Sequence, residues 1–325
     1  MELLVLGGTE FVGWAVVEEA RKRGWGVTVF NRGRTAPPDG VRALAGDRAA
    51  GEIGALAEGT WDAVVDTWSQ APGAVRDAAD ALRGRVGAYA YVSSRSVYAW
   101  PTPAGLDESA PVVDGVGDDY ASVKRAGELA AQEAYGDRAL LVRAGLILGP
   151  HENIGRLPWW LNRIARGGDV LAPGPRDLPL QYVDARDLAA WTLDAVAAGL
   201  GGPYNLVSPP GHTTMGELLD TCVRVTGSDA VLRWADPAVI EAAGIEPWTQ
   251  LPVWLPPGDD YDTLHCGDVS KALAAGLRCR PIGETVADTW QWLLGIGGTP
   301  PQRPGRPAPG LDPAVEREVL AGLTA

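Results

Sequence analysis

Hydroxyls, a phenol and an ammonium stand at fixed intervals in the first half of the chain. Ser93-Ser94-Arg95-Ser96 follows the apolar run Ala88–Val92, Tyr120 lies 26 residues after Ser94, and Lys124 lies four residues after Tyr120. That i, i+4 spacing puts phenol and ammonium on one face of a helix. A free tyrosine ionises near ~10 and needs help to act as a base at neutral pH, which a neighbouring cation supplies. Such a set can move a proton. Tyr-x-x-x-Lys alone is common on surface helices, so its specificity comes from what precedes it. Leu3–Leu6 runs into Gly7-Gly8-Thr9-Glu10-Phe11-Val12-Gly13 and then into a helical pattern. Gly7 permits a tight turn, and Gly13 lets the helix pack closely on the strand. The turn amides, from Gly7 and Thr9 to Phe11 and Val12, lie at the positive end of the helix dipole, where a dinucleotide's pyrophosphate binds. A nicotinamide would then move a hydride beside the proton-transfer set.

In this order and spacing the three segments resemble the extended short-chain dehydrogenase/reductase superfamily, of the NAD-dependent epimerase/dehydratase type. The resemblance implies that Ser94, selected by its place before Val97-Tyr98, polarises a substrate carbonyl. It makes Tyr120 the proton donor or base, and has Lys124 also hold the nicotinamide ribose. Ser93 and Ser96 are left as local hydrogen-bonding residues, and Tyr98 as packing. At the end of the second strand Asn31 stands where an NAD-type acid is usual, followed by Arg32 and Arg34, so NADP is the expected cofactor and NAD the alternative. Asp47, after the third strand, is the implied adenine contact. Glu10 replaces the middle glycine of the superfamily's usual turn. A GGTxFVG turn of this kind is similar to a subgroup holding reductase-like proteins and chloroplast stem-loop RNA-binding proteins.

The elements around these residues alternate in type. Short apolar runs at Glu2–Leu6, Val27–Phe30, Val41–Ala45, Ala63–Asp66, Ala88–Val92 and Ala139–Arg143 are separated by helical spacing at Phe11–Arg23 and Tyr120–Tyr135. Such alternation indicates a parallel sheet covered on both faces, with ligands at the carboxyl ends of the strands. After Pro150 the pattern weakens and tryptophans accumulate. The expected fold class is α/β, a doubly wound parallel-sheet Rossmann domain with a smaller C-terminal α/β substrate lobe. Residues 1–152 plus 181–207 form the NAD(P)-binding domain. Residues 153–180 plus 208–325 form the lobe, with a proline-rich connector at 299–313 and a docking helix carrying Val315, Val319, Leu320 and Leu323.

The 325 residues are 46% hydrophobic, enough for a full core. No apolar stretch reaches membrane-span length, and no secretory signal is visible. Cys222, Cys266 and Cys279 form no C-x-x-C pair, which fits a reduced, cytoplasmic setting. His151, His212 and His265 are scattered, so no metal is expected. A net charge of −13 argues against nucleic acid as a partner. The expected partner is a small-molecule substrate, with no membrane, and a homodimer is one candidate assembly.

Two departures narrow the reaction. Sugar 4,6-dehydratases of the superfamily carry Thr-Asp-Glu where this chain has Ser94-Arg95-Ser96, so the water-eliminating acid pair is lacking. Nucleotide-sugar enzymes usually place an asparagine where Leu146 stands, three residues after Arg143, to meet the diphosphate. The leading expectation is therefore an NADP-dependent carbonyl reductase or alcohol dehydrogenase. An NAD-dependent epimerase of a nucleotide sugar or related substrate comes second, and a non-catalytic nucleotide- or RNA-binding protein third. Candidate substrate contacts are His151, Arg156, Trp159 and Trp160.

Overall fold

The computed structural model describes residues 1–303, 305 and 307–323. Seven strands form one sheet: β1 (Glu2–Leu6), β2 (Gly26–Asn31), β3 (Arg42–Ala45), β4 (Trp61–Asp66), β5 (Val86–Ser94), β6 (Ala139–Ala144) and β7 (Gly202–Leu206). Their order is β7-β6-β5-β4-β1-β2-β3, and every neighbouring pair is parallel. Four of the six crossovers carry an α-helix: α1 (Phe11–Lys22), α2 (Gly73–Ala81), α3 (Tyr120–Tyr135) and α4 (Ala185–Ala197). Helix α1 packs beside α4, and α2 beside α3. The sheet is thus a doubly wound Rossmann-like fold. Strand order reverses between β1 and β4, and that reversal opens the crevice where such folds bind ligands.

Burial explains why the strands read as continuous apolar runs. Leu4, Leu6, Phe30, Val64, Tyr89, Tyr91 and Leu141 form one cluster with the inner faces of α2 and α3. All six residues of β6 are buried. Each fully buried Leu, Val or Phe side chain contributes roughly 1.5–3 kcal/mol.

By internal contacts the chain divides into two units. The first holds Met1–Gly145, Ala185–Val207 and Gly267–Arg278, and the second Leu146–Asp184, Ser208–Cys266 and Cys279–Ala325. The sequence pattern keeps 208–325 together, yet Gly267–Arg278 falls in the first unit. Backbone groups hold it there: Asn205 donates to the Asp268 carbonyl at 3.0 Å, Trp191 to the Ala275 carbonyl at 3.1 Å, and Lys271 to the Pro203 carbonyl at 2.6 Å. Its twelve residues carry only a single short apolar turn, Val269, Ala272 and Leu277, too brief to mark a change of unit in the sequence.

The second unit packs helices Arg156–Ala165, Met215–Thr226 and Ile282–Gly295 around Leu157, Trp160, Leu161, Ile164, Leu218, Cys222, Trp254 and Val286. A parallel pair, Asp169–Pro173 with Val231–Ala235, lies beside the C-terminal helix Pro313–Leu323. Val319 is buried, and Val315, Leu320 and Leu323 pack against the same core. The sequence did not signal Glu316, which is buried on this helix and accepts from Arg163 Nε at 2.7 and 2.9 Å. Within the 299–313 connector, Arg303 donates its amide to the Asn153 carbonyl and Gly310 to that of Thr249; Pro304 and Arg306 lie outside the described residues. Among the described residues no helix is long and apolar enough to cross a membrane, and no three His, Cys, Asp or Glu side chains gather as metal ligands.

Candidate active site

The glycine-rich turn leaves β1 with positive φ at Gly7 (118°) and Gly8 (93°), values that side-chain-bearing residues rarely adopt. A Cβ on Gly13 would stand 2.5 Å from the Gly8 nitrogen, so only glycine lets α1 approach the turn this closely. Phe11 starts the helix with φ 32° and is buried, while Thr9 and Val12 are half-buried. Glu10 precedes the helix in extended conformation, and its side chain is exposed.

At the end of β2 the Asn31 side-chain oxygen accepts from the Gly33 amide at 2.7 Å. Its Nδ2 is buried with no protein partner. Arg32 and Arg34 are exposed beside it. Asp47 caps the short turn Arg48–Ala50, accepting from the Ala49 amide at 2.9 Å. A helix whose first turn abuts glycine backbone, with an orphaned carboxamide donor at the next strand end, fits a dinucleotide. Gly7, Thr9, Phe11, Val12 and Gly13 would hold its pyrophosphate, Asn31 and Arg32 its adenosine ribose, Asp47 its adenine and Lys124 its second ribose. Such a cofactor supplies hydride transfer, for which no protein side chain substitutes.

Ser94 and the pair Tyr120 and Lys124, expected to carry the proton transfer, lie on β5 and on α3, two elements that pack together. Ser94 closes the strand and caps the turn Arg95–Val97, its Oγ accepting from the Ser96 amide and donating to Ser96 Oγ, both at 3.1 Å. That turn packs against α3. Tyr120 is the first residue of α3, and Asp119 caps the helix by accepting from the Ser122 amide at 3.0 Å. One turn on, the environment inverts. Tyr120 is 42% exposed and Lys124 only 3%. The Lys124 ammonium donates to the carbonyls of Trp68 and Val92, both at 2.7 Å, and sits 4.8 Å from the centre of the Tyr91 ring. The Tyr120 phenol thus faces solvent while the ammonium one turn behind it is fixed.

Several residues around this set were not signalled by the sequence. Tyr91 donates to the Trp68 carbonyl at 3.2 Å, the same oxygen that accepts from Lys124. Burial pushes its phenol well above the ordinary range, and the Asp66 carboxylate and Tyr120 add to the push. A Cβ on Gly127 would stand 2.5 Å from the Tyr91 hydroxyl, so a glycine inside α3 makes room for it. Glu128, fully buried one turn after Lys124, accepts from Ser93 at 2.8 Å and from Arg143 at 2.9 and 3.0 Å. Position i+4 from Lys124 on a buried helix face was the signal available for Glu128. For Tyr91 there was none beyond strand membership. Tyr98 is buried and donates to Asn205 at 2.6 Å, a packing residue.

The four substrate candidates all lie in the second unit. Trp160 must be corrected: it is fully buried, donates its indole N–H to the Pro252 carbonyl at 2.7 Å and belongs to the core. Trp159 meets it edge-on at 4.6 Å and is partly buried. The Arg156 guanidinium lies 5.0 Å over the Trp248 ring, and the His151 ring 5.4 Å from Trp292. Leu146 is buried in the same core.

Residues 49–206 match the model of the NAD dependent epimerase/dehydratase family. That region belongs to the family. It spans Ser94, Tyr120 and Lys124 and begins after the glycine-rich turn. The matched region is 158 of the 325 residues, and it supports an NAD(P)-dependent enzyme of the extended short-chain dehydrogenase/reductase type. No curated protein matches the chain. Among solved structures, a putative epimerase from Burkholderia cenocepacia J2315 is similar at 22% identity and TM-score 0.67, covering 89% of this chain and 97% of its own. The UDP-glucose 4-epimerase of Thermus thermophilus, in complex with NAD, is 21% identical with TM-score 0.66, covering 91% and 99%. The Bordetella bronchiseptica enzyme WbmH, in complex with NAD+, is 19% identical with TM-score 0.66, covering 91% and 99%. At these identities the likeness is one of fold.

Proposed function

We propose that this family member is an NADP-dependent carbonyl reductase or alcohol dehydrogenase acting on a small or medium metabolite. The observation that carries the oxidoreductase reading is the Lys124 ammonium, clamped by two carbonyls one helical turn behind the accessible Tyr120 phenol. A fixed cation there favours the phenolate, so Tyr120 gives or takes the proton while Ser94 orients the substrate oxygen. NADP is supported by the carboxamide of Asn31 and the exposed Arg32 and Arg34, which present no carboxylate to repel a 2′-phosphate. The reductase choice is supported by Leu146, an apolar core side chain that cannot donate to a diphosphate.

The second reading is an NAD-dependent epimerase, favoured by the solved structures, two of which hold NAD and one of which is a UDP-glucose 4-epimerase. The nucleotide released on denaturing the purified protein separates them. A protein free of tightly held NAD, binding NADP more tightly than NAD by calorimetry and oxidising NADPH with carbonyl compounds, meets the first reading. Tightly held NAD together with epimerisation of a UDP- or dTDP-sugar replaces it with the second. In either case Tyr120→Phe should lower turnover by roughly 10²–10⁴-fold while leaving cofactor affinity nearly unchanged.

A further inference from the structure

Behind the ammonium lies a second set of charges outside the chemistry described so far. Arg48, the residue after Asp47, is buried and forks onto Asp66 with contacts of 2.7 and 2.8 Å. It also donates to the Ala74 carbonyl at 2.7 and 3.2 Å, and its guanidinium lies 5.0 Å over the Trp68 ring. The Asp66 carboxylate accepts from the Trp68 amide at 2.9 Å and from Tyr89 at 2.6 Å. The Trp68 indole is tied to the Ala71 carbonyl at 2.9 Å. The amide and indole of Trp68 are therefore fastened to the Arg48–Asp66 pair or to their own loop. Its carbonyl is one of the two that grip Lys124.

We propose that Arg48 and Trp68 are positioning residues for Lys124: the Arg48–Asp66 fork fixes the loop after β4, and the Trp68 carbonyl on that loop fixes the ammonium. Neither touches the reacting atoms. They act by holding the ammonium in place one helical turn behind the Tyr120 phenol, and the inference rests on the Tyr120–Lys124 reading above. The geometry joins the adenine end of the cleft, where Asp47 sits next to Arg48 in sequence, to the proton-transfer end. Tyr91 from β5 faces Lys124, and on its own helix Tyr120 and Glu128 stand one turn before and one turn after it. Of these, Tyr91 shares the same carbonyl, and Glu128 is engaged by Ser93, Arg125 and Arg143.

No substrate is needed to test this. Ionisation of Tyr120 is followed by ultraviolet difference absorbance in full-length protein saturated with NADP, taking Tyr120→Phe as the blank. Three variants are compared with wild type: Lys124→Met, Arg48→Lys and Trp68→Leu. Arg48→Lys keeps the charge and loses the fork, and Trp68→Leu keeps the carbonyl and loses the indole. The expected result is a Tyr120 midpoint raised by about one pH unit or more in Lys124→Met and by a smaller, measurable amount in the other two. NADP affinity should weaken in all three, because Lys124 no longer presents its N–H groups to the ribose. If Lys124→Met raises the midpoint while Arg48→Lys and Trp68→Leu lower only the melting temperature, those residues are merely structural and the proposal is overturned. If Lys124→Met leaves the midpoint unmoved, the Tyr120–Lys124 reading itself fails and the proposal with it. Should Arg48→Lys not fold, Trp68→Leu decides, since no buried charge is altered in it.

Discussion

Asp66 in the first unit and Glu152 in the second are both fully buried carboxylates at the edge of a structural element, yet they ionise in opposite directions. Burial disfavours the Asp66 charge, but the Arg48 fork, Tyr89 and the Trp68 amide outweigh it and hold its pKa below the ordinary value. Burial pushes Glu152 up to about 7. The Arg156 charge and the amides at the start of helix Arg156–Ala165, including Arg156 N–H at 2.7 Å and Leu157 N–H at 3.3 Å, offset it only in part. Amides and one arginine's charge without a fork do not replace a bidentate cation in a dry site. A guanidinium that satisfies both oxygens keeps a buried carboxylate charged, whereas a helix N-terminus leaves it poised near neutrality.

The largest effect should come from removing the cation. Arg48→Met leaves Asp66 buried and uncompensated, a change that typically costs about 3–5 kcal/mol. Urea denaturation should show the loss at pH 7, and adding Asp66→Asn to the same chain should recover much of it. Recovery of none would mean that packing, and not charge, made Arg48 necessary.

Glu152 should give a stability that depends on pH with the opposite sign. Its folded pKa is raised from 4.5 to about 7, so the folded state holds the proton more tightly than the unfolded one. Its contribution is therefore fully present below about pH 4.5 and lost as pH rises through 7, by on the order of 3 kcal/mol. Glu152→Gln should flatten the stability profile between pH 5 and 8 relative to wild type, measured by thermal melts across that range. An unchanged slope would break the contrast drawn above. Asp66, depressed in the folded state, contributes stability above the ordinary aspartate range and loses it only as pH falls below that range.

The smallest effect concerns a single donor. Tyr89→Phe takes one hydrogen bond from the Asp66 carboxylate and nothing else of size. It should destabilise by roughly 1.5–3 kcal/mol, the range for hydrogen bonds to charged groups. A loss below a few tenths would show that Arg48 alone keeps Asp66 ionised.

The first unit was legible wherever periodicity carried structure. The apolar runs became β1 to β6, Tyr120–Tyr135 is a helix with those bounds, and the 181–207 stretch supplies β7 to the sheet. That Tyr120 and Lys124 share one helix was legible because their i, i+4 spacing is local. Arg48 and Asp66 were not, because an arginine after a strand and an aspartate ending one both read as surface charges. Their partnership spans 18 residues and exists only once β4 has formed. Trp160 misled for a different reason: Leu157, Trp160, Leu161 and Ile164 repeat at helical core spacing, and that pattern outweighs the appeal of an aromatic as a ligand platform. Gly267–Arg278 joined the first unit largely through hydrogen bonds to backbone carbonyls, which carry no residue signature.

The order of the sheet also has a consequence for synthesis. Strand β7 lies next to β6 in space but follows it by more than fifty residues in the chain. While a ribosome is making those residues, the nascent sheet can close from β3 to β6 and no further, leaving the wholly buried β6 with one unpaired edge. Such an edge is a template for pairing with another chain. Polysomes carrying several half-made copies would bring those edges close together, so pairing between copies is an expected hazard of this interval.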